Sequence, residues 1–192
     1  MKTNNKSILI GGLLAIVLVM AVGYAAFATS LSIKGTASVT SKWLVGFTGA
    51  TPSCYNGYSK SAVTCSASST PSATSSWGTA LASGYYQSVT LTPTLTQPGD
   101  YVEYTLVVSN GGNLSAKLAS SFTFDGAALT PGTPKTSGNI TVLVTNDCAS
   151  YASTAFAASK TCNIKVKATY SGTASTANQS KAITGTITAT QA

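Results

Sequence analysis

The chain has 192 residues, 44% apolar and only 8% charged, with eleven lysines, four carboxylates, no arginine, no histidine and a net charge of +7. The missing histidine excludes a His-based triad, an HExxH zinc site and imidazole acid–base chemistry. The missing arginine removes the bidentate fork that reads phosphate and guanine, so nucleic acid is not an expected partner despite the positive charge. Serine and threonine outnumber the charged residues several-fold. Such a chain is hydrated through hydroxyls rather than ions, which fits an exported β protein better than a cytosolic enzyme.

Lys2 and Lys6 precede an uncharged apolar stretch over residues 8–28. A basic start, an apolar middle and a small-residue end predict a secretory signal peptide. The stretch is also long enough to span a bilayer, so a retained anchor stays open. Gly23-Tyr24-Ala25 sets small residues at the positions a signal peptidase inspects, which puts the cut between Ala25 and Ala26. Cleavage would leave nine lysines against four acids, or +5. Residues 1–25 are thus the signal peptide or anchor, and 26–192 a single domain.

Past the leader the pattern has period two. Leu31-Ser-Ile33, Ala37-Ser-Val39, Trp43-Leu-Val45-Gly-Phe47, Val89-Thr-Leu91 and Tyr101-Val-Glu-Tyr104-Thr-Leu106 alternate apolar and polar residues. So do Leu114-Ser-Ala116-Lys-Leu118, Phe122-Thr-Phe124, Ile140-Thr-Val142, Ile164-Lys-Val166-Lys-Ala168 and Ile183-Thr-Gly-Thr-Ile187. Seven to nine strands between Gly, Pro and Asn turns, with no helical period, predict an all-β antiparallel sandwich or jelly roll of immunoglobulin-like type. Residues 51–83 are poor in large apolar groups and read as a surface excursion; residues 128–138 read as a linker-type turn. In an exported chain Cys54, Cys65, Cys148 and Cys162 predict two disulfides. Short loops close most readily, which pairs Cys54 with Cys65 and Cys148 with Cys162. Their spacings are too wide for the knuckles of a zinc site.

Catalytic constellations are missing from the sequence. The acids Asp100, Glu103, Asp125 and Asp147 show no paired spacing, and turn formation accounts for Asp125 and Asp147 without calcium. No enzymatic activity, cofactor or metal is expected. Glu103 has a second reading, as a buried acid promoting a Lys–Asn isopeptide bond among Lys117, Lys165, Lys167, Asn110 and Asn113. Tyr55, Tyr58, Trp77, Tyr85 and Tyr86 lie in or near turns. They either plug one end of the sandwich or stack on a partner such as a glycan.

Two stretches carry a family resemblance. One is Gly23-Tyr24-Ala25-Ala26-Phe27 leading into Leu31-Ser-Ile33-Lys-Gly35-Thr-Ala37; the other is Leu95-Thr-Gln-Pro98-Gly99-Asp100, a strand, then Asn110-Gly-Gly-Asn113-Leu-Ser-Ala116. Together they resemble the TasA/camelysin family of exported β-sandwich proteins that form biofilm-matrix fibres. The resemblance implies cleavage before the Ala26-Phe27 pair by a dedicated signal peptidase. It also implies polymerisation in which residues 26–40 of one copy add as a strand to the next, with Phe27, Leu31, Ile33, Ala37 and Val39 as the alternating donor side chains. The metallopeptidase activity assigned to camelysin-type members is not carried over, because the chain has no histidine. The expected partners are other copies of the chain, the signal peptidase, and extracellular polysaccharide or the cell surface. The membrane is met only through the N-terminal segment before cleavage. The alternative is a monomeric surface adhesin that binds through its aromatic loops.

Overall fold

The computed structural model describes residues 10–20, 42–66, 71–173 and 177–192. The chain divides into two units, Met1–Val39 and Thr40–Ala192. In the first, residues 10–20 form a helix whose apolar side chains, Leu13, Val17 and Met20 among them, are exposed. No described helix is long and apolar enough to cross a membrane. The cleavage pair Ala25–Ala26 and the donor positions Phe27, Leu31, Ile33, Ala37 and Val39 lie outside the described residues.

The second unit is all β. Its first strands are β1 (Val45–Asn56), β2 (Ser61–Val63), β3 (Ser72–Trp77), β4 (Ala80–Ala82), β5 (Tyr85–Tyr86), β6 (Ser88–Leu95) and β7 (Tyr101–Asn110). Then come β8 (Ala116–Phe124), β9 (Ala127–Leu129), β10 (Lys135–Ser137), β11 (Ile140–Asn146), β12 (Thr161–Tyr170), β13 (Gln179–Ser180) and β14 (Ile183–Gln191). A 3-10 turn, Ala149–Ala152, precedes β12. The strands form two antiparallel sheets, giving the expected sandwich. The first has the order β10-β11-β12-β7-β1-β5-β4, with β2 on the far end of β1; the second runs β6-β14-β8-β9, with β13 beside β14 on one flank of β6 and β3 on the other.

Alternation dictates which residues meet. On β7 it turns Val102, Tyr104, Leu106 and Val108 inward; β6 turns Val89, Leu91 and Leu95 against them, and β14 adds Ile183 and Ile187. Each such aliphatic side chain, once fully buried, stabilises the fold by about 1.5–3 kcal/mol. The outward positions of β6 and β14 in the second sheet are hydroxyls: Thr90, Thr92 and Thr94 on β6, and Thr184, Thr186, Thr188 and Thr190 on β14. The two disulfides are Cys54–Cys65 and Cys148–Cys162, each with Cα atoms 5.4 Å apart. Loops of this length are worth about 3 kcal/mol apiece in the chain-entropy account.

Two sequence expectations are corrected. Residues 51–83 are not an excursion: Thr51 to Tyr55 continue β1 in register with β7, and Ser72 to Trp77 pair with β6. An edge strand is held by backbone bonds, so β3 needs little apolar content. Residues 128–138 likewise contain β9 and β10, the short strands where the chain crosses from the second sheet to the first.

Candidate functional site

The hairpin that carries the family resemblance is centred on β7, and a buried polar side chain pins each of its ends. Asp100 is fully buried. Its Oδ1 accepts the N–H of Gly57 at 2.9 Å, and its Oδ2 accepts those of Thr96 and Gln97 at 3.0 and 3.1 Å. Gly99, at φ +87°, makes the turn, and a Cβ on Gly57 would overlap the Pro98 carbonyl oxygen. At the other end Asn110, also buried, donates from Nδ2 to the carbonyls of Leu114 (2.9 Å) and Phe156 (2.8 Å), and its Oδ1 accepts the Gly112 N–H at 3.0 Å. These residues are scaffold. They fix where β7 begins and ends, and so where its neighbours begin and end.

What Asn110 positions is one pole of the sandwich. There β1 starts opposite the end of β7, and the preceding residues are strapped to the turn. Gly111 N–H donates to the Leu44 carbonyl (2.8 Å), Asn113 N–H to that of Lys42 (3.1 Å), and Lys42 N–H to Asn113 Oδ1 (2.7 Å). At the same pole the second sheet loses a strand. β6 pairs with β14 only from Ile183 to Thr186, with a last bond from Ile187 N–H to the Gln87 carbonyl at 2.9 Å. Before Ser88 the chain belongs to the first sheet, where Tyr86 pairs with Phe47 of β1. β14 nevertheless runs on to Gln191 along β8.

Among the described residues, then, β14 pairs on one side only from Thr188 onward. Ile187 turns its N–H toward β6, so alternation turns the N–H and C=O of Ala189 and Gln191 toward the same, open side. A groove of about 290 Å³ adjoins this edge, lined by Trp43 just before β1, Val45 of β1, Leu81 of β4, Gln87 between β5 and β6, and Ile187, Thr188 and Ala189 of β14. Trp43 is 41% and Leu81 47% exposed. A ladder edge with no partner among the described residues, beside a groove with both apolar and polar walls, is what an added strand requires: main-chain partners, and room for alternate side chains.

The five turn aromatics are not one cluster. Tyr55 stacks on Tyr101 (centroids 4.8 Å apart), with Lys167 Nζ 3.9 Å from the Tyr101 ring centre. Trp77 stacks on Tyr86 at 4.9 Å, and Tyr85 lies against Gly111. Tyr86 sits across from Phe47 and Tyr101 across from Tyr55, eight residues further along β1, about 26 Å at the usual rise per residue. Tyr58 is 86% exposed on the β1–β2 turn, where Asn56 Oδ1 accepts the N–H groups of Tyr58 and Ser59.

The acids are dispersed as well. Glu103 is not buried: it faces outward and meets Lys165 Nζ at 3.5 Å, while the Asn110 amide is committed to backbone carbonyls, so neither supplies an isopeptide centre. Asp125 (φ +51°) and Gly126 (φ +74°) form the two-residue turn joining β8 to β9. The hydrogen bond from Lys181 Nζ at 2.6 Å, and after it that from Ser137, hold the Asp125 carboxyl below the usual carboxylate range. Asp147 is exposed beside Cys148. Among the described residues no three His, Cys, Asp or Glu side chains come together.

Sequence reasoning missed two features. Tyr104 is buried and donates its hydroxyl to the Thr74 carbonyl at 3.2 Å, hooking the β3 edge over the core; burial drives its ionisation well above the usual tyrosine range. The groove was missed because it depends on β6 ending before β14 does, a mismatch of partners that no single strand displays. Comparison of the chain with protein-family models, with curated proteins and with solved structures gives no match.

Proposed function

We propose that this chain is a secreted structural subunit of cell-surface or biofilm-matrix fibres, as in the TasA/camelysin family it resembles, and that it assembles by strand donation. The observation that carries the reading is the one-sided β14 segment from Thr188 to Gln191 beside the Trp43–Leu81–Ile187 groove. Residues 26–40 of a second copy would add along Ala189 and Gln191, with alternate side chains such as Phe27, Leu31 and Ile33 in the groove. Donor and acceptor are different surfaces of the same chain, so the contact is heterologous and propagates into an open filament. Two disulfides suit an oxidising, extracellular setting. Assembly of this kind needs no catalytic step and no cofactor.

Electron microscopy of the mature protein, residues 26–192, tests the reading. Wild type is expected to form filaments. Ala189→Pro removes an N–H from the open side of β14 without touching the β8 ladder, and is expected to leave folded, monodisperse particles. Monodisperse wild-type particles that bind cells or polysaccharide would refute the fibre reading in favour of an adhesin. N-terminal sequencing of the exported protein is expected to begin at Ala26.

A further inference from the structure

We propose that Asn56-Gly57, where β1 turns toward β2, is a self-modification site. The folded chain cyclises the pair to a succinimide, and water opens the ring to an aspartyl or isoaspartyl residue at position 56. The chain has two Asn-Gly pairs, Asn56-Gly57 and Asn110-Gly111. In both, a glycine without Cβ lets the following main-chain nitrogen come close to the asparagine side chain. The fold gives the two pairs opposite surroundings.

The electrophile is Asn56 Cγ. Its Oδ1 accepts the N–H groups of Tyr58 at 3.0 Å and Ser59 at 2.9 Å, and Gln97 Nε2 at 3.1 Å. The two main-chain bonds fold the side chain back over the Gly57 peptide, as ring closure requires. Three donors exceed the two lone pairs of a neutral amide oxygen. The oxyanion of a tetrahedral intermediate has three, so the arrangement fits the reacting state better than the resting one. The nucleophile is Gly57 N, whose N–H donates to Asp100 Oδ1 at 2.9 Å. Asp100 is fully buried and fixed through its other oxygen by the N–H groups of Thr96 and Gln97, which holds a general base on the nitrogen that must lose its proton.

Ring closure forms the bond from Gly57 N to Asn56 Cγ as the nitrogen's proton passes to Asp100 and the carbonyl pair moves onto Oδ1. Collapse of that oxyanion breaks the Cγ–Nδ2 bond, and Nδ2 leaves as ammonia with the proton returned by Asp100. Asn56 is half-buried, so water reaches the ring. Its addition at Cγ gives the aspartyl product, and its addition at the main-chain carbonyl gives the isoaspartyl one. The sum is asparagine plus water to acid plus ammonia, with no change of oxidation state. The isoaspartyl form also adds a methylene to the main chain where Gly57 is packed tightly against Pro98, which draws its N–H off Asp100.

Asn110-Gly111 has none of this machinery. Asn110 is 1% exposed, its Oδ1 accepts the Gly112 N–H, and the Gly111 N–H donates to the Leu44 carbonyl, which is no base. The same dipeptide is therefore activated at one end of β7 and protected at the other.

The test incubates the oxidised mature protein, residues 26–192, at neutral pH in water enriched in oxygen-18. Mass spectrometry then follows the peptides carrying Asn56 and Asn110, since each succinimide hydrolysis fixes one labelled oxygen. The reduced, denatured chain is the reference, and there the two pairs are expected to react at similar rates. On folding, Asn56 is expected to react at least about tenfold faster than in that reference and Asn110 at least about tenfold slower. Folded Asn56 no faster than denatured Asn56 would overturn the inference, leaving only the reactivity of the dipeptide. Asp100→Asn removes the base and is expected to abolish the acceleration. Because Asp100 also pins the turn, Gln97→Ala supplies a test that folding does not confound. It deletes one partly exposed donor and is expected to slow folded Asn56 by about tenfold, less than the 10²–10³ of a buried oxyanion donor. An unchanged rate in Gln97→Ala would overturn the inference as well.

Discussion

Asn110→Ala measures how firmly the pole where β7 ends and β1 begins is held. The amide makes three hydrogen bonds, at 2.9, 2.8 and 3.0 Å, to Leu114, Phe156 and Gly112. The Phe156 carbonyl keeps a second donor, the Ala116 N–H at 3.1 Å, so it is depleted rather than orphaned by the substitution. The loss is therefore close to the net worth of three ordinary bonds, about 3 kcal/mol, and not the larger cost of stranded buried groups. For a domain of this size that lowers the melting temperature by about 6–12 °C. Urea denaturation of the oxidised mature protein, followed by tyrosine and tryptophan fluorescence, reads the difference as a shift in midpoint at constant slope. Asn110→Asp separates hydrogen bonding from packing: it keeps the acceptor for Gly112 but turns a carboxylate toward two carbonyl oxygens, and is expected to destabilise more than alanine does. An Asn110→Ala loss below about 1 kcal/mol, or an aspartate variant as stable as wild type, would refute the assignment of this amide as the pin.

Tyr104→Phe is expected to cost about 1 kcal/mol at neutral pH, the worth of the bond to Thr74. Because burial raises the folded-state pKa of Tyr104, wild type keeps its full stability below the unfolded tyrosine value of about 10 and loses up to about 1.4 kcal/mol per pH unit above it. The phenylalanine variant should show a shallower alkaline limb in denaturation curves taken at successive pH values. Asp125 has the opposite sign. Its lowered pKa makes its contribution present above the unfolded value of about 3.9 and lost as pH falls through the lower folded value. Asp125→Asn, which tolerates the positive φ, should be less stable than wild type at neutral pH and converge with it in acid. Replacing Cys148 and Cys162 together with serine should lower stability by about 3 kcal/mol in non-reducing denaturation, with the 3-10 turn between them the first segment to exchange amide protons.

The parts of this fold that were legible in the sequence are those set by residues along one strand. Alternation over Tyr101 to Val108 and Ile164 to Tyr170 fixes which side chains face inward, and the burial in the structure follows it residue by residue. The disulfides were legible because closing a short loop depends on sequence separation. The misread segments had their structure decided elsewhere. Ser72-Ala-Thr-Ser-Ser-Trp77 becomes a strand because β6 offers it a ladder, not because its own side chains seek burial. The five aromatics looked like a cluster because three of them fall within ten residues of each other; the registers instead distribute them along β1. Asn110 was visible as a turn residue, but the pairing of its amide with Phe156, 46 positions away, is a tertiary fact.

The distribution of sheet edges bears on the assembly reading independently of any resemblance. An unpaired edge invites pairing with another chain, and stable β proteins blunt such edges. Here β4, β9 and β10 are three residues long, and the β4–β5 ladder is further broken by a register shift. β3 is longer, but Tyr104 hooks its Thr74 carbonyl over the core. The flank of β8 beyond β9 is met by the Ala116–Phe156 bridge and by the Asn146 amide on Ser120. The overhang of β14 has none of these devices among the described residues, and it borders the groove where Trp43 and Leu81 are exposed. Among the described residues β14 from Thr188 and β1 between Gly49 and Ser53 both pair on one side only, and of the two it is the β14 overhang that borders the Trp43–Leu81 groove. That location also makes Ala189→Pro a sharper probe than truncation of residues 26–40. It removes the acceptor while leaving the donor in place, so mixing it with wild type is expected to cap filaments at one end, whereas a nonspecific loss of folding would leave wild-type filament lengths unchanged.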